Sequence, residues 1–234
     1  MRTLLVLLCF CISACASTRM IPIVYEPSGK DTLIANYTNG LPIIAVAHDS
    51  LNTLFSLEYV TIANTGYFRL WLLVTNNASS PYLLDPSKSV LLDFQGRLAY
   101  DEERTTIEVA PPSKILASID EAEMTAQISR NIGGFLQARA SHVQTPDYAR
   151  FSDLREISNW YPTFKSSTNA GILRKNTIAP GTSVNGYVYF LASLEFPSGT
   201  INYTWKTAKR FRHQIIFTLR GTPKVINLIP VPGE

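Results

Sequence analysis

The chain is short of cysteine, of charge and of histidine, and each shortage removes a class of chemistry. All three cysteines, Cys9, Cys11 and Cys15, fall within the first fifteen residues, and the remaining 219 have none. The body therefore has no disulfide framework, no cysteine nucleophile and no thiolate metal site. Charged residues make up 17% of the 234, with 21 basic against 18 acidic and a net charge of +3, too near neutral for a general polyanion binder. The three histidines, His48, His142 and His213, are far apart in sequence. They form no His-x-His or His-Glu-x-x-His pair, so surface or turn positions are expected for them. Neither a Gly-x-Gly-x-x-Gly loop nor a Walker pattern occurs, which disfavours nucleotide chemistry. No cofactor is expected.

What is present is a folded chain. Hydrophobic residues reach 46%, and 11 Tyr, 11 Phe and 3 Trp stand beside 14 Pro and 12 Gly. That balance leans toward sheet and excludes disorder and coiled coil. A body of this size buries roughly 70% of its unfolded surface without any covalent staple.

The first fourteen residues read as a secretory signal: one positive charge at Arg2, an apolar run from Leu4 to Ile12, then Ser13 and Ala14. The run is shorter than the about 20 apolar residues a bilayer span needs. Ile12-Ser13-Ala14-Cys15 resembles the bacterial lipobox, which implies cleavage between Ala14 and Cys15 and diacylglycerol on the Cys15 sulfur. The membrane would then be the first partner, held through the acyl chains of Cys15. In the same family, Asp after the cysteine retains the protein at the inner membrane in enteric-type bacteria. Position 16 is Ala, so outer-membrane residence is implied. Residues 15–32, with Pro22 and Pro27 and no helical period, read as the lipidated cysteine and a tether.

From Leu33 to the C-terminus the chain reads as one domain, residues 33–234. Apolar stretches at 40–47, 54–62, 67–75, 90–94, 97–100, 184–191, 200–205, 214–219 and 225–229 predict strands, with turn clusters between them. Phe68, Leu70, Leu72 and Val74 share one face, and Val184, Gly186, Val188 and Phe190 another, opposite Tyr187 and Tyr189. Gln95-Gly96 reads as a hairpin turn. Ser118-Ile-Asp-Glu121 is a capping-box pattern that predicts a helix from Asp120 to about His142, weakened at Gly133-Gly134. Residues 144–169 read as polar and irregular. About nine strands around one helical insertion, roughly 118–169, fit an antiparallel two-layer sandwich better than a βαβ fold.

Leu72 to Pro86, Leu91 to Arg97, and Ile178-Ala-Pro-Gly-Thr-Ser-Val-Asn-Gly-Tyr-Val-Tyr-Phe190 together resemble immunoglobulin-like domains of bacterial envelope lipoproteins. The resemblance implies an immunoglobulin-like β-sandwich used as a binding or assembly module, with no catalytic residue to carry over.

The strongest charge asymmetry lies near the C-terminus. No acid occurs between Phe196 and Gly233, yet Trp205-Lys206-Thr-Ala-Lys209-Arg210-Phe-Arg212-His213 carries four cations in what reads as a connection between strands. Trp205, Lys206, Lys209, Arg210 and Arg212 form the candidate contact site. It suits anionic headgroups, lipopolysaccharide, peptidoglycan carboxylates or an acidic partner surface, or a solvated hairpin tip. Nucleic acid is not an expected partner outside the cytoplasm. Tyr187, Tyr189, Tyr203 and Trp205 read as an aromatic strip for glycans, or as the cover of a second sheet face beneath the helix. Carboxylates at Asp101–Glu103, Glu108 and Asp120–Glu123 read as loop and helix-N-terminal charges rather than a glycosidase pair. Ser183, near two glycines, lacks the strand-to-helix turn of a nucleophile elbow.

The sequence thus predicts a non-enzymatic envelope lipoprotein whose partner is an envelope protein or a glycan. A subunit of a trans-envelope secretion or conjugation machine and a glycan-processing enzyme with paired carboxylates are the competing readings.

Overall fold

The computed structural model describes residues 23–28, 33–48, 50–62, 65–98, 101–137, 154–192, 194–196, 199–201 and 203–232. The leader 1–14, the Ala14–Cys15 junction, the tether as far as residue 22 and His142 lie outside them.

Among the described residues the elements run β1 (Ile23–Pro27), β2 (Leu33–Thr38), β3 (Leu41–His48), β4 (Leu51–Ile62), β5 (Thr65–Asn76), β6 (Tyr82–Leu84), α1 (Pro86–Ser89), β7 (Val90–Leu98), β8 (Asp101–Ile107), α2 (Pro112–Gln137) and α3 (Leu154–Gly171). They continue with β9 (Asn176–Ile178), β10 (Ser183–Leu191), β11 (Leu194–Phe196), β12 (Gly199–Ile201), α4 (Trp205–Ala208), β13 (Phe211–Leu219) and β14 (Thr222–Pro232). The fold is mainly β and its named strand pairs are antiparallel.

One sheet carries the order β10-β5-β4-β1-β14-β13-β7-β8. It forks at β4, whose first half pairs with β3 and whose second half touches β1 through Val24 and Glu58. The two ends of the path also meet, because Val109, just past β8, bridges Phe190 on β10. The sheet thus folds over one core. Period-two alternation supplies its lining: Phe68, Leu70, Leu72 and Val74 are all fully buried, facing Val90, Leu92, Ile215 and Phe217. Rings cross the gap directly, Phe55 to Phe217 at 5.1 Å and Phe68 to Phe94 at 4.8 Å. The predicted strand faces of β5 and β10 hold.

A second cluster sits on the outer side of β4, β5 and β10. Ile115 and Ile119 of α2 bury Ile62, Tyr67 and Tyr189, with Tyr161 and Phe164 of α3 packed alongside. Tyr67 Oη donates to Ser118 Oγ at 2.7 Å, and Ser118 Oγ donates to Lys114 O at 3.2 Å. Lys165 pairs with Asp120 between the two helices.

Several local expectations are corrected. The tether reading of 15–32 fails over Ile23–Pro27, which is β1, paired along its length with β14; Ile23, Val24 and Tyr25 are buried there, and two prolines masked a strand too short to show alternation. The helix starts at Pro112, so Ser118 is not a cap but an interior residue bonded back to Lys114, a competing use of serine. The helix also runs through Gly133-Gly134, and Asp120 and Glu123 are mid-helix rather than at its N-terminus. The stretch predicted as irregular holds α3, with Pro162 inside it, because Tyr161 and Phe164 gain a packing surface that local propensity does not reveal. Gly96 is not a turn: it pairs with Glu103 on one side and Phe211 on the other, and the hairpin closes beyond Leu98. Asp101–Glu103 accordingly lie in β8, not in a loop. The strand predicted over 200–205 is reduced to Gly199–Ile201, since Tyr203 turns into the core and Trp205 opens α4.

Candidate functional site

Two surfaces carry side chains that the fold does not consume. The first is the basic segment. Thr204 caps α4 by accepting from the backbone N–H of Thr207, and the short helix turns the chain into β13. Lys206, Lys209, Arg210 and Arg212 are exposed, whereas Phe211 and His213 alternate inward and Trp205 packs half-buried against the core. The candidate residues are therefore brought together as charges. Their aromatic neighbours serve as the root of the loop, not as part of its surface.

His213 is 1% exposed, against the surface position expected for it. Its Nε2 meets Tyr203 Oη at 2.5 Å, which also meets Tyr25 Oη at 2.5 Å, and its ring lies 4.9 Å from Tyr25 and 4.8 Å from Phe94. Burial pushes its pKa down to about 3, with the backbone of Phe211 pulling weakly upward. It is a neutral core residue, tied to the aromatic set by Tyr203, which belongs neither to an exposed strip nor to a cover beneath the helix but to the main core.

The second surface is a cleft of about 680 Å³ on the outer face of β4, β5 and β10, beneath the β2–β3 hairpin. That hairpin turns at Asn39-Gly40, both at positive φ (51° and 76°), the geometry that matches strand twist in a two-residue turn. Register builds the floor in rows. Glu58, Arg69 and Tyr189 stand side by side, then Ser56, Trp71 and Tyr187, then Leu54, Leu73 and Asn185. The α2 packing covers Tyr189, and Glu58, Arg69, Ser56, Trp71, Tyr187 and Leu54 are left to line the cleft.

Arg69 organises the floor. Its Nε and terminal nitrogen donate to Glu58 Oε1 at 2.8 and 2.6 Å, and its guanidinium lies 5.0 Å from the Tyr187 ring centroid. Burial works against its charge, but Glu58 outweighs that and holds the arginine pKa above its usual value. Ser56 lines the cleft at 3% exposure, and its hydroxyl has no hydrogen-bond partner. A buried hydroxyl without a partner is a cost that the fold leaves uncompensated beneath the cleft wall. Ser56, Glu58, Arg69 and Trp71 belong to no motif in the sequence. The signal was available in the polar and aromatic residues alternating with the Phe68–Val74 core face.

Tyr187 partly lines this cleft, Tyr189 lies under the helix, and Tyr203 is in the core, so the four aromatics do not form one strip. Among the described residues no group of three His, Cys, Asp or Glu is placed to hold a metal, and no helix is long and apolar enough to cross a membrane. Comparison with protein-family models, curated proteins and solved structures finds no match to this chain.

Proposed function

We propose that this protein is an acylated lipoprotein of a bacterial envelope, fastened by Cys15, whose immunoglobulin-like body is a non-catalytic binding module. The anchor rests on the order of charge, apolar run, small residues and cysteine in the leader. The sandwich reading is supported by β5 and β10, which carry the two distant halves of the resemblance and pair from Ser183↔Thr75 to Leu191↔Tyr67. It departs from a pair of separate sheets in being one path joined through β1.

The single observation behind binding is the cleft: an unpartnered buried hydroxyl, an aromatic pair and a fixed Arg–Glu pair on one rigid sheet face. Such a set suits a glycan, whose flat ring face stacks on Trp71 or Tyr187 while its hydroxyls reach Glu58 and Arg69. Among the described residues Glu58 is the one carboxylate lining the cleft and is engaged by Arg69, which weighs against two-carboxylate glycan hydrolysis. Calorimetric titration with soluble envelope glycan fragments tests this. Trp71→Ala is expected to weaken binding about tenfold, a loss of ~1.4 kcal/mol of stacking, at unchanged melting temperature. Binding indifferent to Trp71 would refute the cleft.

A second reading, a subunit docking within a trans-envelope machine, is favoured by Met124 and Ile128, which are 59% and 50% exposed on α2. A copurifying complex lost on Met124→Asp with Ile128→Asp, while the glycan titration stayed flat, would select it.

A further inference from the structure

We infer that the basic end of the body, with Lys206, Lys209, Arg210 and Arg212, lies against the anionic lipid headgroups of the membrane in which Cys15 is anchored. This rests on the acylation proposed above and adds an orientation to it.

The argument is one of register and reach. β1 enters the sheet with Ile23 opposite Pro232 of β14, and β14 pairs with β13 at Leu228↔His213. That ladder ends at His213↔Leu228, four residues short of Pro232 on β14, and β13 reaches back to Phe211 opposite Gly96 of β7, so the turn at Lys209 and Arg210 lies toward the Pro232 and Ile23 end of the sheet. Side chains tie the two together, since Tyr25 of β1 meets Tyr203, the residue before the α4 cap, and packs at a tilt against the His213 ring. The point where the tether joins the body and the four exposed cations therefore share one end of the sheet.

Between Cys15 and Ile23 the chain reaches at most about 28 Å when fully extended. The other end of β14, at Gly221, is eleven residues from Pro232, about 36 Å along the strand. The tether is too short to set that far end against the bilayer end-on. Two of the cations there are moreover engaged within the fold, Lys224 Nζ donating to Ala47 O at 2.6 Å and the Arg220 guanidinium over Tyr82 at 5.8 Å. Among the described residues no salt bridge holds Lys206, Lys209, Arg210 or Arg212.

The same end also receives the close of the β7–β8 hairpin, whose residues 97–104 include two basic and three acidic ones in sequence, and β11 with Glu195. By formal charge the four exposed cations exceed the remaining acids of that end by two. Each basic residue held near an anionic bilayer multiplies its affinity about fivefold, within a screening length of about 8 Å at physiological salt. Two or three such residues are too few to bind from solution, but they suffice to choose a face once acyl chains hold the protein at the surface.

The cysteine-free body makes the test direct. The acylated full chain bearing Lys209→Cys, or Ser79→Cys in the turn after β5 at the opposite end, is labelled with a donor dye and reconstituted into vesicles carrying a headgroup acceptor. With phosphatidylglycerol present, transfer from position 209 should exceed that from 79 several-fold. The excess should shrink in pure phosphatidylcholine, in high salt, and when Lys206→Glu, Arg210→Glu and Arg212→Glu are added, with circular dichroism confirming an intact fold. Equal transfer from both ends, or an excess indifferent to lipid charge and to the reversals, overturns the orientation. Failure of the protein to float with vesicles would instead refute acylation, and this inference with it.

Discussion

The side-chain amide of Asn76 donates to the carbonyl of Ile178 at 3.0 Å, joining positions 102 apart in sequence. The same amide reaches Ser80 O at 2.9 Å, Asn76 Oδ1 accepts from Ala78 N at 3.1 Å, and its backbone exchanges bonds with Gly181 and Thr182. One fully buried residue at the end of β5 thus ties down its own turn, β9 and the entry to β10. Asn76→Ala strands two carbonyls and should cost about 2–3 kcal/mol, read as a fall of about 5–10 °C in melting temperature. A shift within experimental error would show the turn to be held by something else.

Gly186 is required for a close approach. A Cβ there would stand 2.9 Å from Gly171 O and 3.0 Å from Leu173 Cβ, where the chain leaves α3 and crosses β10. Backbone cannot yield cheaply, so Gly186→Ala should destabilise by about 1–3 kcal/mol in urea titration. A neutral substitution would mean that the α3 exit does not pack on β10 as described.

His213 gives stability a pH dependence of known sign. Its folded pKa, near 3, is below the about 6.5 of an unfolded histidine. The unfolded chain therefore takes up the proton first, so the contribution is complete above about pH 6.5 and is lost as pH falls toward 3. His213→Gln, which keeps a polar partner for Tyr203 without titrating in this range, should be less stable at neutral pH yet show a flatter profile between those limits. Parallel profiles for the two proteins would contradict a buried neutral imidazole.

How far the sequence reveals this molecule depends on which residues carry the signal. The β5 and β10 faces were legible because alternation is a local property that burial enforces along a whole strand. β1 was not, since five residues flanked by proline carry no pattern and its place depends on β14, about two hundred residues later. Ser118 misled because a serine followed by Glu121 caps a helix or sits inside one with equal local logic, and Tyr67 decides which. The basic segment was found from charge alone, but only the fold separates its outward cations from inward Phe211 and His213 and sets them beside Ile23. The cleft was missed because Ser56, Arg69 and Trp71 look like ordinary outward residues until β2 and β3 fold over them.

The most direct measurement is intact-protein mass spectrometry of the chain isolated from the membranes of bacteria expressing it. The account predicts a polypeptide whose first residue is Cys15, carrying diacylglycerol on its sulfur, and a Cys15→Ser form that is no longer acylated or membrane-bound. A wild-type chain recovered free in solution with an unmodified Cys15 thiol, or cleaved elsewhere, would contradict it.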